Sequence, residues 1–219
     1  MNIIKFSLFG LQLQEPMAII TNGMIAFFCL FAFFQLKDWN DTANYYWKRF
    51  FLFLGISTFF GMFGHGLFHY FGIYGKIPSW LFGCVSNAMA GLGMFHFENY
   101  SKKNKLGIFL VVFKSILLFL LALFTLKFVF VAIDAIFTYI VYTGFYAQKI
   151  VKRGAAELKW MTVGVIIMLP SAFVFLFKLN LHKWLNKDDL SHLFILTGII
   201  FFYSTLQRWG RKNALNING

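Results

Sequence analysis

Seven apolar runs alternate with short polar segments along the chain, at about residues 17–36, 49–73, 79–97, 106–126, 128–148, 160–177 and 190–206. Each is close to the ~20 residues that a helix needs to cross ~30 Å of hydrocarbon. Phe50 to Gly75 contains no Lys, Arg, Asp or Glu at all. Pro16 opens the first run, where its missing N–H is harmless. Gly72, Gly75 and Pro78 mark the turn between the second and third, and Pro170 predicts a kink in the sixth. Residues 1–14 mix apolar and polar positions and are expected to lie on the membrane surface. The pattern predicts an all-α integral membrane protein, a seven-helix bundle forming one domain over residues 1–219.

Composition strengthens this reading. The chain is 59% hydrophobic and 13% charged, against ~25% charged in soluble domains. The net charge of +12 sits almost wholly between the apolar runs, with no nucleic-acid motif beside it, so nucleic acid is excluded as a partner. Thirteen of the 20 Lys and Arg fall in the first, third and fifth loops and the C-terminal tail; six fall in the other segments, and Lys114 lies inside the fourth run. The positive-inside rule then puts the N-terminus outside and the C-terminus in the cytoplasm, in the plasma membrane or a bacterial inner membrane. No small-residue cleavage site follows the N-terminus, so the first span is expected to be retained. Trp39, Tyr45, Tyr46 and Trp47 are placed for an interfacial belt. Cys29 and Cys84 lie within apolar runs and read as packing residues.

Candidate chemistry gathers at one depth. His65 and His69 are four apart near the outer end of the second run, and Asp188 and His192 are four apart at the start of the seventh. On helices, each spacing puts both side chains on one face. Imidazole and carboxylate are zinc ligands, and a catalytic zinc keeps three protein ligands and one open position. His65, His69, Asp188 and His192 are therefore the candidate metal ligands. Asp189 and Ser57 are the candidate catalytic groups, Asp189 as general base. Glu15, Asn22 and Asn87 stand at the same level as supporting groups. Lys114 and Asp134 lie on adjacent antiparallel spans and are predicted to form a buried charge pair. Simpler readings stand beside these: His69 at the interface, Asp188 and Asp189 favouring a helix N-terminus, Asn22 and Asn87 bonding helix to helix.

The arrangement resembles the superfamily of seven-span membrane hydrolases that includes the alkaline ceramidases and the progestin/adiponectin receptors. Glu15-Pro16 with Thr21-Asn22 resembles the start of its first span. His65 in Gly61-Met62-Phe63-Gly64-His65 is similar to its second-span Ser-x-x-x-His. Asp188-Asp189-Leu190-Ser191-His192 is similar to its last-span His-x-x-x-His. Gly61 stands where that family has serine, Asp188 where it has the first histidine, and Asn87 is the nearest polar residue to its third-span aspartate. The resemblance implies zinc and the hydrolysis of a lipid amide or ester, with membrane lipid as substrate. Two alternatives stay open: a receptor or small transporter that binds a ligand through the outer polar cluster, and a non-catalytic scaffold.

Overall fold

The computed structural model describes residues 4–37, 41–97 and 105–217. Trp39 and most of the basic loop after the third run, Lys102 and Lys103 included, lie outside them. All seven apolar runs fall on helices: α1 Pro16–Gln35, α2 Thr42–Gly66, then after the single turn α3 Phe68–Phe71, α4 Ile77–Phe95, α5 Lys105–Thr125, α6 Val129–Phe137 with α7 Tyr146–Val151, α8 Lys159–Leu176 and α9 Lys187–Ile217. Among the described residues, five helical segments are each long and apolar enough to cross a membrane, and α2 with Phe68–Phe95 meets that requirement as a pair bent by 79°. One detail differs from expectation. The rod formed by α6 and α7 is not α-helical throughout, because Thr138–Phe145 between them is π-helix. Pro170 lies inside α8, which is continuous from Lys159 to Leu176.

Lipid tails are as apolar as leucine, so membrane helices associate through close packing of small residues. That logic is visible here. A Cβ at Gly55 would lie 3.2 Å from the Cβ of Cys29, and α1 buries Ala18, Ala26, Cys29 and Ala32. Gly93 of α4 admits the indole of Trp47, which has no exposed surface, so this tryptophan belongs to the core and not to an interfacial belt. Tyr45 does stay exposed. Helix α5 is the least embedded, turning Phe109, Phe113, Ile116 and Phe124 outward.

Residues 5–14 form a β-hairpin. Strands β1 Lys5–Leu8 and β2 Leu11–Gln14 pair antiparallel, Lys5 opposite Gln14 and Leu8 opposite Leu11. Phe9 and Gly10 in the two-residue turn both have positive φ, 51° and 78°, as a type I′ turn requires. The hairpin is tied down at Gln12, whose N–H donates to the Tyr70 hydroxyl (3.0 Å), and at Glu15, whose N–H donates to the Ile4 carbonyl (2.9 Å). Phenylalanine is a costly residue at positive φ, yet Phe9 sits there 95% exposed, between exposed Leu8 and Leu11 and at the same end as exposed Tyr70, Phe71 and Tyr74. This apolar tip is expected to rest in the headgroup region. A nitroxide on Phe9→Cys in liposomes should meet dissolved oxygen more readily than a water-soluble nickel chelate. Cys29 and Cys84 are buried, which keeps the labelling selective. The reverse accessibility order would place the tip in water.

Candidate metal centre at the hairpin end

The hairpin end of the bundle gathers Glu15 before α1, His65 near the end of α2, Lys76 before α4, and Asp188 and His192 on the first turns of α9. His65 Nδ1 lies 2.6 Å from Glu15 Oε2. An ionised carboxylate only accepts, so Nδ1 carries the proton, and in the neutral ring Nε2 holds the electron pair. Burial pushes the Glu15 carboxyl up, but the bond from His65 and the charges of His65 and Lys76 outweigh it, and the group lies below its usual range. His192 follows the same logic. The Thr21 hydroxyl lies 2.9 Å from both the Met17 carbonyl and His192 Nδ1; when it donates to the carbonyl it accepts from Nδ1–H, and Nε2 holds the electron pair. Imidazoles whose Nδ1–H is held by an oxygen while Nε2 stays available are the usual form of histidine metal ligands.

Ligand atoms of Glu15, His65 and Asp188 lie within 4.8 Å of one another, and the His65 and His192 rings meet edge-on with centroids 6.4 Å apart. One imidazole nitrogen and two carboxylate oxygens in that set fit a zinc centre in kind, and His192 stands beside them with its ring edge-on to His65. One group present was not weighed from the sequence. Lys76 Nζ lies 3.4 Å from His65 Nε2 and 3.3 Å from Nδ1. Lys187 Nζ donates to Asp188 Oδ1 at 2.6 Å.

Other candidate residues are placed elsewhere. His69 is not with His65: α2 ends at Gly66, Leu67 leaves helical geometry (φ −98°, ψ 17°), and His69 on α3 is exposed against Tyr70. The four-residue spacing therefore spans a break in the helix. Asp189 closes a capping box. The Asn186 side-chain oxygen accepts from the N–H groups of Asp188 (2.7 Å) and Asp189 (3.2 Å), and Asp189 Oδ2 accepts from the Asn186 N–H (2.9 Å). Its carboxylate starts the helix, and Asn-x-x-Asp was the sequence signal for it. The Ser57 hydroxyl donates to the Ser79 carbonyl at 2.8 Å, joining α2 to α4. Asn22 donates to the Ala18 carbonyl (2.8 Å), and its Oδ1 fills the space where a Cβ at Gly61 would stand, 2.7 Å away.

Asn87 serves a second polar cluster deeper in the bundle. Its Nδ2 donates to Asp134 Oδ2 (2.8 Å), and Ser115 Oγ donates to Asp134 Oδ1 (2.9 Å). Lys114 Nζ meets Asp134 Oδ1 at 2.5 Å and also donates to the Asp134 carbonyl (3.0 Å) and to Thr138 Oγ1 (2.6 Å). The structure thus brings the Lys114–Asp134 pair together, joining α4, α5 and α6 where the π-helical stretch begins.

A cavity of about 400 Å³ lies between the two clusters. His65, Lys76, Asp188 and His192 border one part of it, and Asn22, Ser57, Ser79 and Asn87 form a polar wall. Ile133 and Ile136 of α6 with Leu169 and Phe175 of α8 form an apolar one. Such a volume suits a small ligand or part of an alkyl chain.

No curated protein and no solved structure matches the chain. A family model does match, covering residues 17–211, which overlaps every helix described above, and the chain belongs to that family, a family of unknown function (DUF6962).

Proposed function

We propose that the chain is a seven-span membrane protein, N-terminus outside, whose outer end holds zinc on His65, Asp188 and His192 and which hydrolyses a lipid amide or ester. The observation that supports this most is the pair of imidazoles, drawn from segments far apart in sequence. Each has its Nδ1 within 2.9 Å of a side-chain oxygen at or near the start of α1, and both border a half-apolar cavity beside a carboxylate. Zinc bound there supplies a polarised water of lowered pKa. The chain's own residues do the rest: Glu15 and Thr21 orient the imidazoles, and the apolar faces of α6 and α8 offer an alkyl chain a place next to the site. The cap engages only Asp189 Oδ2, and Oδ1 is buried without a hydrogen-bond partner among the described residues, so Asp189 remains the candidate proton acceptor.

Elemental analysis of detergent-purified protein tests the metal. About one zinc per chain, lost in His65→Ala and His192→Ala, is the expected result. Folded protein without zinc would end the hydrolase reading. It would leave the second one, a non-catalytic ligand-binding or transport protein, which the two lysines among the carboxylates favour. The charge asymmetry between loops makes a separate prediction: a reporter fused after Gly219 should be cytoplasmic. An extracytoplasmic reporter would overturn the topology and leave the metal site untouched.

A further inference from the structure

Lys76 is the last residue of a 3₁₀ turn, Gly72–Lys76, that leads into α4. Its stem passes α2 at Gly64, where a Cβ would meet Lys76 Cγ at 3.0 Å and the Gly75 carbonyl at 3.0 Å. The glycine at 64 is what admits the stem. The stem carries the ammonium past the Phe68 ring, 5.3 Å from its centroid, to the His65 ring, 3.3 Å from Nδ1 and 3.4 Å from Nε2. Nε2 is the nitrogen whose electron pair would face a metal once Nδ1–H is committed to Glu15. The negative charges of Glu15 and Asp188 both act on the Lys76 ammonium, and Lys76 borders the same cavity as Asp188 and His192.

The charges close without any ion. Glu15 already faces the Lys76 ammonium and Asp188 the Lys187 ammonium. A divalent ion added to this arrangement would lie a few ångströms from an ammonium. A lysine head on a four-carbon stem is mobile enough to leave.

We propose that Lys76 is a built-in cation standing against the His65 ring beside the metal position, so that the Lys76–His65 contact and metal binding exclude one another through repulsion, and metal loads only as the ammonium swings away. The inference rests on the metal site proposed above and gives that site its regulation: apparent affinity is set by how readily Lys76 leaves. It also follows that an anionic headgroup able to draw Lys76 into the cavity would favour loading.

The test is a zinc titration of the full-length protein in detergent, in competition with a chromogenic chelator. Wild type, Lys76→Met and Lys76→Arg are compared. Methionine keeps the unbranched stem and removes the charge; arginine keeps the charge. Lys76→Met should bind zinc more than ~100-fold tighter than wild type, a small part of the raw repulsion between an ammonium and a divalent ion about 4 Å apart. Lys76→Arg should gain nothing. Equal affinity in wild type and Lys76→Met overturns the role of Lys76 and leaves the zinc site standing. Zinc binding by neither protein overturns both. Should Lys76→Met fail to fold, the wild type decides: zinc should increase acylation of Lys76 by a water-soluble amine reagent, read by peptide mass spectrometry, and unchanged or reduced acylation overturns the exclusion.

Discussion

Asp134→Ala should be the most destabilising single replacement of a polar residue in this chain, by about 3–5 kcal/mol, the usual cost of leaving a buried charge without its partner. Asp134 has no exposed surface and Lys114 is 14% exposed. The carboxylate organises three helices: it accepts from Asn87 on α4 and from Ser115 and Lys114 on α5. Alanine would leave the ammonium without a counter-charge, held only by the backbone carbonyl at 134 and Thr138 Oγ1, and release an amide and a hydroxyl as well. The pair need not be worth much against an apolar substitute. In Lys114→Met with Asp134→Leu neither charge remains to be stranded, and much of the loss should return. Thermal unfolding of the detergent-solubilised protein measures both. An Asp134→Ala protein within about 1 kcal/mol of wild type would show that the cluster contributes little to the fold.

The reason this pair was legible in the sequence, and others were not, is depth. In a chain of apolar runs, position along a run fixes height within the bundle. Lys114 and Asp134 fall at similar heights on consecutive antiparallel spans, and charges at that level have few places to go. Rotation about the helix axis is not fixed in the same way. Asn87 was placed at a plausible height and given to the wrong cluster, because its direction depends on how α4 packs. Trp47 looked interfacial by position, and Gly93 on another helix decides that it is core. His69 failed for a local reason: the run Gly64-His65-Gly66-Leu67 is apolar enough to continue a helix, but the helix stops within it, and four residues no longer mean one turn. Residues 5–14 carry a hairpin whose alternation in Lys5-Phe6-Ser7-Leu8 was short enough to pass as irregular. Lys76 was the costliest omission. Counted as one basic residue in a polar turn, it gave no sign that its head folds back onto α2, because only a glycine at position 64 lets it do so.

Gly198→Val should also be severe, and for a different cause. Helices α8 and α9 approach backbone to backbone at Gly164 and Gly198. A Cβ on Gly198 would lie 2.8 Å from the Gly164 carbonyl oxygen and nearer still to the Met168 side chain; a Cβ on Gly164 would lie 2.8 Å from the Gly198 carbonyl oxygen. Met168 can bend away, being unbranched and adaptable, but a carbonyl within a helix cannot, so the two helices must part. Overpacking of a close contact costs about 1–3 kcal/mol and more where backbone has to move, and in lipid such contacts between small residues are a main source of helix association. Valine adds branches to a Cβ that already does not fit, so Gly198→Ala should be milder and Gly198→Val should lower the midpoint of unfolding sharply or abolish folded protein in detergent. Gly23→Ala makes the control, since its Cβ would meet only the Met62 sulfur, at 3.3 Å. The damage should also reach the hairpin end. Asp188 and His192 ride on α9, and a shift of that helix against α8 would carry His192 away from Thr21. Any Gly198→Ala protein that remains folded should therefore bind zinc more weakly than the Gly23→Ala control. Equal stability of Gly198→Val and Gly23→Ala would mean that α8 and α9 do not cross at these glycines.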